Sequence, residues 1–134
     1  LSTKYLLDTS ALYPLIIRLR EKLLLYENRF VILDLTIYEI GNTIWKEYKR
    51  GSIKNLALVV DMFKEIIKNL EKLNIGQKIL EVLEIAKKNN ITFYDASYIY
   101  VAKEYKLKLV TEDLDLLKFP ETISLEAMLK ELKI

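Results

Sequence analysis

The sequence predicts an α/β fold of three layers, α/β/α, with a short central parallel sheet of about four strands and flanking helices. Three observations carry this. Short apolar runs such as Tyr5-Leu6-Leu7 and Phe30-Val31-Ile32-Leu33 do not alternate with polar residues. Each is closed by an acid, Asp8 or Asp34. Between these runs lie longer segments with apolar residues at helical spacing. Strands without alternation are buried on both faces, which is the pattern of a parallel sheet covered by helices.

The elements follow in order. Tyr5-Leu6-Leu7 is the first strand. Thr9 or Ser10 is placed to cap a helix from about Ala11 to Tyr26, with Pro14 in its first turn. Phe30 to Leu33 is the second strand. Thr36 opens a helix to about Lys49, and Gly51 is placed to end it. Val59, Phe63, Ile66, Ile67, Leu70 and Leu73 recur at helical spacing, so Leu56 to Leu73 reads as one helix. A further helix spans about Ile75 to Lys88 with Ile79, Leu80, Leu83 and Ala86 inward, broken by Asn89-Asn90. Asp95 to Tyr105 is helical, Leu107 to Val110 a third strand, Thr122 to Ser124 a fourth, and Leu125 to Leu132 a last helix.

The chain has 134 residues, which indicates one domain over 1–134. A domain of this size buries roughly two-thirds of its unfolded surface and needs no disulfide or structural metal to fold. Cys is 0 and His is 0. That excludes disulfides, zinc fingers, haem ligation by His and thiol or Ser-His-Asp catalysis. Acid–base chemistry then falls to Asp, Glu, Lys or Tyr, and any metal must be held by oxygen. The three glycines are too scattered for a phosphate-cradling loop. The net charge of +2 permits a weak nucleic-acid binder but is not the footprint of a strong one. No apolar run is long enough to cross a membrane. Leu1 to Lys4 run straight into a strand-like segment with no signal peptide in view, so a cytoplasmic protein is expected.

Right-handed crossovers put all strand C-termini on one edge, where open parallel sheets bind ligands. Asp8 and Asp113 follow strands, and Glu39 lies in the first turn of the helix after the second strand. Asp95 joins them if its helix starts at the same edge. Each acid taken alone has a structural reading. Thr36-x-x-Glu39 and Thr92-x-x-Asp95 have the form of capping boxes, and Asp8 and Asp113 suit turns or caps. Four converging carboxylates are different. They repel unless one takes up a proton or a cation lies among them, and oxygen-only ligation suits Mg²⁺ or Mn²⁺.

Four blocks now stand in order: Leu6-Leu7-Asp8-Thr9-Ser10-Ala11-Leu12, Thr36-Ile37-Tyr38-Glu39-Ile40-Gly41-Asn42, Tyr94-Asp95-Ala96-Ser97-Tyr98 and Leu109-Val110-Thr111-Glu112-Asp113. Together they resemble the motif blocks of PIN-domain ribonucleases over essentially the whole chain. Among small members the chain resembles a VapC-type toxin of a toxin–antitoxin pair. The resemblance implies a PIN-like fold and a metal-dependent endoribonuclease. It implies that Asp8, Glu39, Asp95 and Asp113 are catalytic and hold one or two Mg²⁺ or Mn²⁺ ions. It implies supporting roles for Thr9 and Ser10 beside Asp8 and for Thr111 beside the last acid. Asn42, one turn after Glu39, is a candidate outer-shell donor, and Asp115 a candidate substitute ligand. Hydrolysis would leave a 5′-phosphate and a 3′-hydroxyl. RNA substrate, an antitoxin partner and a homodimer are expected on the same ground.

Glu112 departs from the pattern, since the family often carries a basic or neutral residue there. Its charge either weakens RNA approach or strengthens metal binding. Lys46, Lys49, Arg50 and Lys54, or Arg18, Arg20 and Lys22 on the first helix, are candidate phosphate contacts, though a solvated charged face and favourable cations at a helix C-terminus account for them better. Tyr38, Tyr94 and Tyr98 flank the acids and could stack on unpaired bases, but with nine tyrosines in the chain core packing is the better reading. The surplus of Leu and Ile between 56 and 88 suits a dimer surface, an antitoxin groove or the core. Other readings are an RNA-processing nuclease without an antitoxin, a catalytically silent binding scaffold, and a receiver-like Mg²⁺ site. The last lacks the paired acids it needs beside Asp8.

Overall fold

Five strands form one parallel sheet in the computed structural model, which describes residues 3–134. They are β1 Tyr5–Leu7, β2 Phe30–Leu33, β3 Glu71–Leu73, β4 Lys108–Val110 and β5 Thr122–Ile123, in spatial order β3-β2-β1-β4-β5. Every neighbouring pair is parallel. Leu1 and Ser2, on which the reading of an absent signal peptide partly rests, lie outside the described residues.

Six helices cover the sheet: α1 Thr9–Leu19, α2 Asp34–Arg50, α3 Leu56–Ile67, α4 Ile79–Asn89, α5 Phe93–Glu104 and α6 Leu125–Leu132. Strand side chains alternate between two cores. Tyr5, Leu7, Phe30, Ile32 and Val110 pack with α1, α2, α3 and α6. Leu6, Val31, Leu33 and Leu109 pack with α5 and the inner side of α4. This is the three-layer α/β/α arrangement that unalternating apolar strands require. Among the described residues no helix is long and apolar enough to cross a membrane.

Several expectations need correction. There are five strands, because Leu56–Leu73 is not one helix. It ends at Ile67, and Glu71–Leu73 forms β3 on the sheet edge, with Ile32 opposite Lys72. An edge strand of exposed polar residues carries no strand signature, and Leu70 and Leu73 prolong the helical period by accident. The first helix begins two residues earlier than expected, with Asp8 rather than Thr9 or Ser10 as its cap: Asp8 Oδ1 accepts from the Ala11 N–H at 3.1 Å. It stops at Leu19, where Arg20 turns to φ +54°, and a 3-10 segment Arg20–Arg29 follows. Arg20 and Lys22 therefore lie off the first helix. Pro14 stands in the second turn, not the first.

Glu39 also lies in the second turn of its helix, because α2 starts at Asp34. Thr36 is not the cap. Its Oγ1 accepts from the Leu33 N–H at 3.2 Å, inside the first turn. Gly51 ends α2 as expected, at φ +88°, a conformation costly to other residues. In α4 the inward side is Val82 with Ile85 and Ala86 half-buried, whereas Ile79, Leu80 and Leu83 face outward. The helix begins at Ile79, not Ile75.

Candidate active site

The chain order changes direction beside β1, with β2 and β3 to one side and β4 and β5 to the other. In parallel sheets such a switch point opens a crevice at the strand C-termini. The Asp8 N–H donates to Val110 O at 3.2 Å, so the first and fourth strands end together there. α1 and α2 start at this edge directly from β1 and β2, and α5 brings its first turn to the same place.

Asp8 is buried, with 6% of its surface exposed. Its Oδ1 takes a 2.6 Å bond from the Ser10 hydroxyl besides the Ala11 N–H. Burial pushes the carboxyl above its usual range. The hydroxyls of Ser10 and Thr111 and the Ala11 N–H pull it back, and nearby Glu39 pushes it up. Thr111, fully buried, accepts from the Asp113 N–H at 3.1 Å and lies 3.4 Å from the Ser10 hydroxyl. Ser10 in turn accepts from the Glu112 N–H at 2.9 Å. Ser10 and Thr111 thus tie the first acid to the loop that carries the last.

Glu39 is held differently. Its Oε1 accepts from Thr9 Oγ1 at 2.9 Å and from Tyr98 Oη at 2.6 Å. The Tyr98 oxygen lies 2.6 Å from Thr36 Oγ1. Since Tyr98 donates to Glu39, Thr36 supplies the proton to Tyr98 and accepts from Leu33. The outcome is a buried chain from the end of β2 through Thr36 and Tyr98 to Glu39. Thr36 and Tyr98 were not picked out by sequence as holders of Glu39. The order Thr-x-x-Glu suggested a cap, and Tyr98 suggested packing or stacking.

Asp95 is half-buried in the first turn of α5, where its N–H donates to Thr92 Oγ1 at 3.0 Å. Its carboxyl is raised, first by burial, then by Asp113, with smaller pushes from Glu39 and Asp115 and a counter-pull from Thr92. Asp8, Glu39, Asp95 and Asp113 therefore share one electrostatic neighbourhood. None of the ion pairs among the described residues reaches any of the four.

The remaining candidates separate. Asp115 is exposed and pairs with Lys118 at 3.8 Å, and its N–H donates to Asp113 Oδ1 at 2.9 Å. Its backbone orders Asp113 while its side chain faces solvent. Asn42 is exposed on α2 and makes no side-chain hydrogen bond among the described residues. Glu112 turns away from the acids: its Oε2 accepts from the Leu125 N–H at 3.3 Å, at the start of α6. The positive end of that helix takes up its charge.

Among the described residues no three acidic side chains already stand at the spacing that holds a metal. The fit to a divalent cation lies in donor chemistry and charge: oxygen donors only, mutually repelling, with no basic partner. An apolar groove lies elsewhere. It holds about 820 Å³ between α2 and α3, lined by Ile37, Ile44, Trp45, Leu56, Val60 and Phe63.

Comparison with known proteins agrees with the fold. Residues 5–121 match the profile of the PIN domain. Exonuclease VapC9 of Pyrobaculum aerophilum is 39% identical over 130 residues, 96% of each chain. Ribonuclease VapC3 of the same organism is 30% identical over 95 residues, 69% of this chain and 72% of that one. The crystal structure of PAE2754 from P. aerophilum superposes with a TM-score of 0.87 at 38% identity, covering 99% of this chain and 98% of that one. A toxin–antitoxin complex from Klebsiella pneumoniae gives a TM-score of 0.63 at 20% identity, over 91% and 96% of the chains, a likeness of fold alone.

Proposed function

This chain belongs to the PIN-domain family, and from that premise we propose that it is a metal-dependent ribonuclease acting as the toxin of a toxin–antitoxin pair. The observation that carries the reading is the carboxylate set itself. Four acids from separate segments lie toward one sheet edge, near enough that Glu39 pushes on Asp8 and that Asp113 and Glu39 push on Asp95, and no ion pair among the described residues reaches any of the four. Such an arrangement destabilises the chain unless it serves a ligand. The relatives named as nucleases support the chemistry.

Asp8, Glu39, Asp95 and Asp113 would hold one or two Mg²⁺ or Mn²⁺ ions. Bound there, a divalent ion supplies an activated water and neutralises charge on a phosphodiester. The chain's own residues keep the acids in position. Ser10 and Ala11 hold Asp8, Thr9 and Tyr98 hold Glu39, Thr92 meets the backbone of Asp95, and Thr111 braces the backbone of Asp113. With no imidazole in the chain, a proton released in hydrolysis passes to a carboxylate or to solvent.

We further place the chain in one domain over 1–134, in the cytoplasm, as a homodimer that is blocked by an antitoxin. The outward apolar residues Ile79, Leu80 and Leu83 of α4 support a dimer surface.

The test is cleavage of a structured RNA labelled at either end, with Mn²⁺, Mg²⁺ or chelator, by the wild type and by Asp95→Asn purified in parallel. Metal-dependent cleavage lost in the variant supports the reading. Internal fragments indicate endonucleolytic attack, and mononucleotides released from an end indicate the exonuclease activity named for one relative. Products ending in 2′,3′-cyclic phosphate overturn the hydrolytic mechanism. Equal activity in both preparations indicates a contaminant.

A further inference from the structure

α2 has two faces with opposite characters. Thr36, Ile40 and Ile44 are buried against the sheet. Tyr38, Asn42, Trp45 and Lys49, at intervals of four, three and four residues, form one stripe on the outside. This spacing stacks side chains along a helix. Tyr38 is 79% exposed and Trp45 51%. Tyr38 leaves a large aromatic surface in water on a stripe that begins beside Glu39, and Trp45, which borders the groove between α2 and α3, leaves half of its own.

We propose that this stripe is a track for single-stranded RNA leading to the carboxylate edge. Tyr38 and Trp45 would stack on unpaired bases, and Lys46, Lys49 and Arg50 would meet phosphates. The inference rests on the nuclease reading. Three further features support it. Trp45 stacks with Tyr48 at 6.3 Å between ring centroids and 19° between planes, so a second exposed ring joins it on the outside of α2. The Lys49 ammonium lies over the Trp45 ring, 5.0 Å from its centroid, a cation that a stacking base would displace toward its own phosphate. Charge is also concentrated at the end of the helix. Between residues 46 and 54 Lys46, Lys49, Arg50 and Lys54 stand against Glu47, which pairs with Arg50 at 3.2 Å and leaves the three lysines in excess, whereas the whole chain nearly balances 21 basic against 19 acidic residues.

The dimensions suit a short strand. At 1.5 Å rise per residue, Tyr38 and Trp45 are about 10 Å apart along the helix and Tyr38 and Lys49 about 16 Å. Single-strand sites join aromatic stacking surfaces to cations that follow the backbone, as this stripe does. A duplex hides its base faces and has no use for exposed rings.

The chain contains one tryptophan, Trp45, so the track carries its own reporter. The experiment titrates wild-type chain, in chelator, with a fluorescein-labelled 12-nucleotide oligouridylate and separately with an RNA duplex of equal length. Anisotropy reads binding, and an unlabelled strand read against Trp45 emission reports stacking. The single strand is expected to quench Trp45 and to bind more tightly than the duplex. Tyr38→Ala, an exposed change without effect on the core, is expected to weaken strand binding about tenfold. Lys46→Ala and Lys49→Ala are each expected to flatten the salt dependence by about 0.7 in the log–log slope.

No binding, or binding that leaves Trp45 emission and the Tyr38→Ala affinity unchanged, overturns the track. In that case the stripe belongs with the adjoining apolar groove as a protein-docking face. Cleavage of RNA by the wild type in Mn²⁺, measured alongside, keeps the two readings apart. Cleavage with a silent Trp45 overturns the track alone. A strand that quenches Trp45 but is never cut, by a chain that cuts no RNA, counts against the nuclease and leaves the strand site standing.

Discussion

Tyr98 donates a 2.6 Å hydrogen bond to Glu39 from a helix on the opposite face of the sheet. The bond passes around the end of β2 and joins the two helical layers at the edge where the acids gather. It also fixes which carboxylate oxygen is taken. Thr9 and Tyr98 both use Oε1, so among the described residues Oε2 is left for another partner.

Tyr98→Phe removes one oxygen and little else. Glu39 loses a donor, and the fully buried Thr36 hydroxyl loses its acceptor. A hydrogen bond to a charged group is worth about 1.5–3 kcal/mol, and the variant is expected to melt several degrees lower by that amount. Mn²⁺ affinity by calorimetry is expected to fall about tenfold, as for other partners that hold a metal ligand in place. Unchanged Mn²⁺ affinity would reduce Tyr98 to a packing residue.

Asp95→Asn removes a carboxylate whose neighbours repel it. The metal-free variant is expected to be at least as heat-stable as the wild type. Mn²⁺ at about 100 times its dissociation constant stabilises a one-site protein by about 2.7 kcal/mol, so the wild-type melting temperature should rise by roughly 10 °C. The variant should show a much smaller rise and lose cleavage by about a hundredfold or more. Differential scanning calorimetry with and without chelator checks both.

The pH dependence has a definite sign. Asp8 and Asp95 both bind protons more tightly folded than unfolded, since both are raised from 3.8. A raised carboxyl lowers stability as pH climbs from the unfolded value through the folded one. In chelator, acidification from neutral toward pH 4 is therefore expected to stabilise these two sites. The gradient should shrink in Asp95→Asn and vanish in saturating Mn²⁺. Melting curves across that range in all three conditions read it directly.

Thr111→Val keeps the shape and loses the hydroxyl that lies at the Asp8 side of the site and accepts from Asp113. A buried N–H without a partner costs about 1–3 kcal/mol, and activity is expected to fall about tenfold or more. Thr111→Ser should recover most of it. A Ser variant as impaired as Val would mean that the methyl group, not the hydroxyl, is what matters.

Leu80→Glu tests the dimer. Leu80 is 67% exposed, so the change should cost the monomer little. Light scattering should show the mass halved relative to the wild type at equal concentration. An unchanged mass would place any dimer contact elsewhere.

Apolar periodicity made the central part of the fold legible, because β1, β2, β4, α5 and α6 have interiors that decide their state. It misread β3, where Glu71 and Lys72 face water on an edge and leave no apolar signature. It misread the face of α4, where outward Leu and Ile outnumber the inward Val82. The acids were legible as a set because strand topology dictates which residues share an edge. What holds them was not. A tyrosine on one helix reaching a glutamate 59 positions away is a fact of packing, not of spacing. The direction of Glu112 was equally hidden, since it depends on where α6 begins.

Asp8, Glu39, Asp95 and Asp113 come from nearly the whole length of the chain, and Asp113 is ordered by a loop that leans on Ser10. Synthesis therefore has to run past Asp113 before the last acid can join the first. A nascent or half-melted chain holds no complete set. Under the nuclease reading, cutting then begins only in a chain that has been made past Asp113 and has folded.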